Sequence, residues 1–227
     1  MIRAHIGVAL ACVALATGVS GCADDNADQA PSALTGMRLE ADYSGAGQEA
    51  GALAEATGLP TVDRRLRAAS SLAARITYTS TSGITNQLTE ATGTVFVPQG
   101  NVPNGGWPIV VYAHPTTGIQ PECAPSLSPT LLSSSGVVTA LVKAGFVVSV
   151  PDYQGLGSDS TYHPYLDATT AGYNVIDSVK AVRRLVPEAS DRWVGIGLSQ
   201  GGQATWAANE LAREYGAGLA LLGTVSV

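Results

Sequence analysis

The second half of the chain alternates short apolar runs with longer segments whose apolar residues recur at helical spacing. Continuous apolar runs at 107–113, 146–150 and 193–198 are typical of strands buried on both faces of a parallel sheet, and a fourth begins at 219–227. Helical spacing predicts helices at 137–144, 170–186 and 202–215 between them. This alternation predicts a mostly parallel α/β sheet with flanking helices.

The first half shows a different pattern. Alternating apolar and polar residues at 75–79 and 93–97 predict strands of an antiparallel opening, preceded by a short helix over 61–74. At the other end, the sequence stops inside an apolar strand that has no covering helix after it. We therefore expect these 227 residues to be the N-terminal part of a longer domain, truncated after the helix at 202–215 and the start of the next strand.

The N-terminus has the pattern of an export signal. Arg3 precedes an apolar stretch over 6–19, which is too short to span a bilayer. It ends in Val-Ser-Gly-Cys at 19–22, which resembles the lipobox of bacterial lipoproteins, whose cysteine is lipidated. We therefore expect a signal peptide over 1–21, a lipid-anchored polar tether over 22–35 and a folded domain over 36–227. The alternative is an ordinary signal peptide with Cys22 incidental.

Composition narrows the class of protein. Hydrophobic residues make up 45% of the chain and charged residues 13%, as in a globular domain. A net charge of −6 and a pI near 4.9 argue against a nucleic-acid-binding surface. Of the three cysteines, Cys12 leaves with the signal and Cys22 carries the lipid. Cys123 is then either a buried thiol or half of a disulfide whose partner lies outside these residues.

The candidate chemistry centres on Gly-Leu-Ser-Gln-Gly at 197–201, which matches Gly-x-Ser-x-Gly. The motif follows a predicted strand and opens a predicted helix, as a nucleophile elbow requires. There, a sharp turn forces the serine into a strained conformation that exposes its Oγ, and Gly197 and Gly201 leave room for it. Ser199 is therefore the candidate nucleophile. The alternative is a glycine-rich turn that binds nothing, or binds phosphate at the helix N-terminus.

Four further segments accompany the elbow in order. They read Ala-His-Pro-Thr-Thr-Gly at 113–118, Cys-Ala-Pro-Ser at 123–126, Asp-Tyr-Gln-Gly-Leu-Gly at 152–157 and His-Pro-Tyr-Leu at 163–166. Together with the elbow, they resemble the secretory lipase family of α/β-hydrolases, from about residue 74 to the end. The resemblance implies an α/β-hydrolase fold that hydrolyses carboxylic esters, including triacylglycerols, without a cofactor.

The same resemblance suggests an oxyanion hole, the set of N–H donors that stabilises a tetrahedral intermediate. One donor is the backbone N–H of Gln200, and the second comes from the loop at 113–118. Many relatives have glycine where this loop has Pro115, which lacks an N–H and fixes φ. We therefore assign the second donor to Thr117, with Thr116 next.

The other candidates for acid–base chemistry have structural interpretations. We expect His114 to be a structural loop residue, His163 to serve in packing or line the substrate cleft, and Asp152 to be a turn residue. In this fold the triad order is serine, acid, histidine. After Ser199 the acidic residues are Glu210 and Glu214 on the departing helix, and no histidine follows. The triad acid and histidine therefore lie outside these residues, and the remaining His and Cys lack metal-ligand spacing.

Two classes of function remain. The first is an exported serine lipase or esterase, acting on ester or lipid substrates at a membrane surface that its lipid anchor reaches. The second is an inactive, hydrolase-like surface lipoprotein that binds an apolar ligand or a partner. Peptidase or acyltransferase chemistry on the same scaffold also stays open.

Overall fold

The computed structural model describes residues 36–227. The predicted signal peptide, the tether and Cys22 lie outside the described residues. Within 36–227, no helix is both long and apolar enough to cross a membrane.

Strands and helices alternate along the described residues as the apolar pattern predicts. In order, the elements are β1 (Leu53–Gly58), α1 (Arg64–Ala69), β2 (Ser70–Thr81), β3 (Leu88–Pro98), β4 (Trp107–Ala113), α2 (Ser135–Lys143), β5 (Val147–Pro151), α3 (Ala168–Leu185), β6 (Ala189–Gly197), α4 (Gln200–Tyr215) and β7 (Ala220–Ser226), with short 3₁₀ turns at Pro121–Cys123 and Pro125–Leu127.

The strands form a single mixed sheet in the order β1-β2-β3-β5-β4-β6-β7. The pairs β1–β2, β2–β3 and β3–β5 are antiparallel, whereas β5–β4, β4–β6 and β6–β7 are parallel. The predicted antiparallel opening and the parallel sheet after it are both confirmed. The carboxyl ends of β4, β5 and β6 consequently share one edge, which is where sites form in parallel sheets.

The sheet is buried on both faces, which explains the continuous apolar runs. Ile109 and Val111 of β4 pack in the core cluster that contains Val175 of α3. Tyr112 of the same strand packs in the opposite cluster with Val138 of α2. Successive side chains of a strand point to opposite faces, so a strand covered on both sides needs apolar residues at every position.

The predicted helix over 61–74 is wrong in extent. The helix covers Arg64–Ala69 and begins where the Asp63 carboxylate accepts hydrogen bonds from the N–H groups of Arg65 and Leu66. From Ser70 the chain is extended, because β2 runs for twelve residues and pairs with β3 along its length. Strand pairing thus overrides the helix propensity of the alanines that follow. Strand β1, which the pattern did not predict, covers the outer edge of β2.

Asp152 holds together the loops at the carboxyl edge. Its side chain is completely buried and accepts hydrogen bonds from the Thr92 hydroxyl (2.6 Å) and the Ser126 N–H (2.9 Å). These contacts connect the end of β5 to β3 and to the second 3₁₀ turn. Asp152 is therefore a structural residue at a strand end, consistent with its interpretation as a turn residue.

Cys123 lies in the first 3₁₀ turn and is 5% exposed. It is disulfide-bonded. The alternative of a buried free thiol is therefore wrong.

Candidate active site

Ser199 lies at the turn between β6 and α4 in a strained backbone conformation, with φ of 56° and ψ of −117°. A serine at a helix N-cap ordinarily accepts a hydrogen bond from the first turn. The Ser199 side chain makes no such capping bond, and the residue is exposed. The strain of the turn therefore leaves the Oγ facing solvent, as a nucleophile elbow does.

The two glycines of the motif are required by close backbone contacts. A Cβ on Gly197 would lie 1.9 Å from the Gly201 carbonyl oxygen. A Cβ on Gly201 would lie 1.9 Å from the Ala113 carbonyl oxygen and 2.8 Å from that of His114. The elbow is consequently pressed against the end of β4, which supports the interpretation of both glycines drawn from the sequence.

Neighbouring strands hold the turn in place. The Ser199 N–H donates to the Val227 carbonyl (2.6 Å), and the Val227 N–H donates to the Gly197 carbonyl (2.9 Å). The helix behind the serine packs closely on the sheet because Ala204 and Ala208 are completely buried. The candidate nucleophile is thus fixed by the strand on each side of it.

The residues predicted for the oxyanion hole lie at the start of α4 and in the loop after β4. Gln200 is the first residue of α4 and is 4% exposed. The loop that carries Thr116 and Thr117 begins at the end of β4, where Ala113 contacts Gly201. Thr117 is half-buried, whereas Thr116 is exposed, with its hydroxyl 3.3 Å from the Tyr165 hydroxyl. The fold therefore brings the elbow and the predicted donor loop together.

His114 is completely buried, so its ring cannot reach a substrate above Ser199. Its Nδ1 is 2.7 Å from the Pro115 carbonyl, and its ring lies 4.5 Å from that of Tyr153. The Tyr153 hydroxyl donates to the His114 carbonyl (2.9 Å). Burial lowers the pKa of His114 below the ordinary value for histidine. These contacts make it a structural residue of the loop, as predicted.

His163 contacts the elbow directly, which the sequence did not reveal. Its Nε2 is 3.0 Å from the Gln200 side-chain nitrogen, and its Nδ1 is 2.8 Å from the Gln154 carbonyl oxygen. The ring is half-buried, and this burial lowers the pKa of His163, although the hydrogen bond to Gln154 acts in the opposite direction. No local pattern signals a pairing across 37 residues.

Apolar side chains are exposed beside the candidate nucleophile. Leu198 precedes it and is 46% exposed, and Leu166 is joined to α4 by the bond from the Gln203 side chain to its carbonyl. Ile119 and Tyr165, on the loops after β4 and β5, are also exposed. Exposed apolar side chains often mark ligand-binding surfaces.

The acidic residues after Ser199 take no part in this arrangement. Glu210 and Glu214 are exposed on α4, and the Glu210 carboxylate accepts a hydrogen bond from the Trp206 indole (2.9 Å). They lie three and four turns away from the elbow along the helix, so they cannot orient a base next to Ser199.

The sequence profile of the secretory lipase family matches residues 125–226, which include the elbow and the segment around His163. Over these residues the chain is similar to the secretory lipase family. No curated protein sequence matches the chain.

Solved structures confirm the α/β-hydrolase fold of this chain. The rice cell wall degrading esterase LipA of Xanthomonas oryzae superposes with a TM-score of 0.63 at 24% identity, covering 78% of this chain and 50% of the esterase. Lipase A of Candida antarctica, in its closed state, gives 0.63 at 16% identity and 87% and 45% coverage. A Legionella pneumophila protein gives 0.57 at 29% identity and 67% and 41% coverage. The chain spans about half the length of these proteins or less.

Gly201→Ala should disrupt the elbow. The new methyl group would overlap the Ala113 carbonyl, so we expect the free energy of unfolding to fall by about 3 kcal/mol. Urea denaturation followed by circular dichroism measures this change. Gly136→Ala is the matched control, because that exposed position in α2 has open space around it, and alanine there should stabilise the protein by about 0.5–1 kcal/mol. Equal stability of the two variants would contradict the crowding.

His114 and His163 should make the protein less stable in mild acid. Burial lowers the pKa of both His114 and His163 in the folded state, so below about pH 6.5 the unfolded chain binds more protons. Their contribution is complete above that pH and is lost as the pH falls. Urea denaturation at pH 7.5 and pH 5.0 should therefore show a lower free energy of unfolding at pH 5.0.

A histidine variant separates the contribution of His163 to the pH dependence from that of other titratable groups. Burial raises the pKa of Asp177, which gives a pH dependence of the opposite sign, so the wild-type curve contains both. His163→Gln removes one histidine only, and we expect the loss of stability between pH 7.5 and pH 5.0 to become smaller. An unchanged difference between the two pH values would contradict a lowered pKa at His163.

Proposed function

We propose that these residues are the N-terminal part of an exported serine lipase or esterase that hydrolyses carboxylic esters, with Ser199 as nucleophile. The observation that carries the proposal is the strained, exposed Ser199 between β6 and α4, in a segment that matches the profile of the secretory lipase family. The apolar side chains beside it favour substrates with an apolar acyl group, such as triacylglycerols.

The proposed reaction has two halves. The Ser199 Oγ attacks the ester carbonyl carbon while its proton passes to a histidine, and a tetrahedral oxyanion forms. The backbone N–H of Gln200 and that of Thr117, with Thr116 next, donate to this oxygen. Collapse of the intermediate expels the alcohol, which takes the proton. Water then attacks the acyl-enzyme by the same route and releases the acid.

The base and its orienting acid are proposed to come from outside these 227 residues. The printed sequence has no histidine after Ser199, and Glu210 and Glu214 point to solvent along α4. His114 is buried, and both ring nitrogens of His163 are already engaged. We therefore expect the 227-residue chain by itself to lack ester hydrolase activity, whereas the protein encoded by the whole gene has it.

Ser199→Ala in the whole protein tests the function. Loss of the nucleophile should lower kcat by about a thousandfold or more on p-nitrophenyl butyrate and on emulsified tributyrin. A fluorophosphonate probe should add its mass to the peptide that contains Ser199. Ser71→Ala is the matched control, because Ser71 is exposed at the opposite edge of the sheet. Full activity in Ser199→Ala would contradict the proposal.

The second candidate function is a surface lipoprotein that binds an apolar ligand without catalysis, and the exposed apolar side chain of Leu198 beside Ser199 is the observation that favours it. It predicts that the whole protein binds fatty acyl ligands but does not turn over any ester. Activity that disappears in Ser199→Ala would exclude it.

Anchoring through Cys22 has its own test. We propose that lipid attached to this cysteine holds the exported enzyme at a membrane surface. In cells, wild-type protein should incorporate labelled palmitate and sediment with membranes, whereas Cys22→Ala should do neither. Wild-type protein that stays unlabelled and soluble would favour the ordinary signal peptide.

A further inference from the structure

His163 forms two hydrogen bonds whose directions can be assigned from chemistry. Its Nδ1 faces the Gln154 carbonyl oxygen, which can only accept, so Nδ1 carries the hydrogen. In the neutral ring, Nε2 is then an acceptor. The Gln200 side chain must consequently present its NH₂ group, and this donates to Nε2 at 3.0 Å. The ring therefore connects the loop after β5 to the first residue of α4.

Hydrogen bonds to buried residues fix the loop that holds His163. The Gln154 N–H donates to the Asn174 side-chain oxygen (2.8 Å), and the Asn174 NH₂ donates to the Ser80 hydroxyl (2.8 Å). Ser80 in turn donates to the Asp177 carboxylate (2.9 Å). All of these residues except His163 are buried, with Gln154 at 2% and the other three at 0% exposure. His163 is thus the outermost member of a chain of hydrogen bonds rooted in α3 and β2.

On the other side of this connection, His163 contacts Gln200, whose backbone N–H is the proposed donor of the oxyanion hole. Gln200 is 4% exposed, and its other side-chain atom, Oε1, is buried without a hydrogen-bond partner. The contact with His163 is therefore the one hydrogen bond that the structure shows for this buried amide within residues 36–227. Burying an amide group carries a desolvation cost that this bond partly offsets. Without the acceptor, the Gln200 side chain would turn towards water.

We propose that His163 is a positioning residue for the oxyanion hole: by accepting the Gln200 side-chain hydrogen bond, it fixes the residue whose backbone N–H stabilises the tetrahedral intermediate. The inference rests on the proposed function, because it takes Ser199 as nucleophile and Gln200 as donor. His163 itself contacts no reacting atom. Its effect belongs to the transition state, since the N–H must point to where the oxyanion develops rather than to the bound ester.

The first test is kinetic and uses the whole protein. His163→Phe keeps a flat ring but has no acceptor for Gln200. We expect kcat on p-nitrophenyl butyrate to fall by about 10- to 100-fold, with KM changed by less than about twofold, because misplaced groups reduce transition-state stabilisation. Affinity for 1-butaneboronic acid, whose tetrahedral adduct places an oxygen in the hole, should fall by a similar factor. Unchanged kcat and unchanged boronate affinity would overturn the proposal.

The second test is a double-mutant cycle. Gln200→Leu keeps the backbone N–H but removes the side-chain donor, so it breaks the same hydrogen bond from the other side. If the two side chains act through this bond, the double variant His163→Phe/Gln200→Leu should lose no more kcat than the worse single variant. Losses that multiply would show independent effects and would overturn the proposal.

Two further variants serve as a rescue and as a control for these tests. His163→Gln retains an acceptor that can reach Gln200 and should recover part of the kcat that His163→Phe loses. Tyr162→Phe, at an exposed neighbouring position, should retain wild-type kcat and boronate affinity. If His163→Phe does not fold, as judged by circular dichroism, the comparison of Gln200→Leu with His163→Gln decides. Wild-type kinetics in Gln200→Leu would then overturn the proposal.

The failure of this inference differs from failure of the proposed function. If Ser199→Ala keeps its activity, the serine hydrolase proposal falls, and the positioning role falls with it. If Ser199→Ala is inactive while His163→Phe and Gln200→Leu match wild type, Ser199 is the nucleophile but His163 does not position the hole.

Discussion

The arrangement of the site depends on one close backbone contact, between the elbow after β6 and the end of β4. Gly201 lies so near the Ala113 carbonyl that no side chain fits there. Because these strands are parallel neighbours, the contact places the turn that carries Ser199 beside the loop that carries Thr116 and Thr117. The two parts of the candidate oxyanion hole are therefore joined before any substrate binds, as preorganised electrostatic stabilisation requires.

Around this contact, buried hydrogen bonds help to fix the loops. Asp152 ties the end of β5 to Thr92 and Ser126, and Tyr153 bonds to the His114 carbonyl beneath the donor loop. His163 then joins the same segment to Gln200. Hydrogen bonds in a buried setting are costly to break, since each broken bond leaves an unpaired polar group. The segment at 152–163 thus supports both sides of the site from one place.

Much of the fold could be predicted because it depends on patterns that are local in sequence. Strand β4 was predicted at its observed bounds, and the later strands and helices within a few residues, since a sheet covered on both faces demands continuous apolar runs. The predicted helix over 61–74 was too long, because the side chains of its last residues are compatible with either a helix or a strand. These residues form a strand because they pair with β3, which lies about twenty residues further along the chain.

The sequence by itself determined the strand–turn–helix at Ser199, because the glycines that this strained turn needs are adjacent to the serine. It also determined the structural character of His114, through its place at the end of a buried strand. Only the tertiary structure decided which atoms surround these residues. His163 and Gln200 lie 37 residues apart and meet because the loop after β5 folds over the start of α4. A hydrogen bond between distant side chains leaves no periodicity or spacing in the sequence, so its partners emerge only when the sheet is assembled.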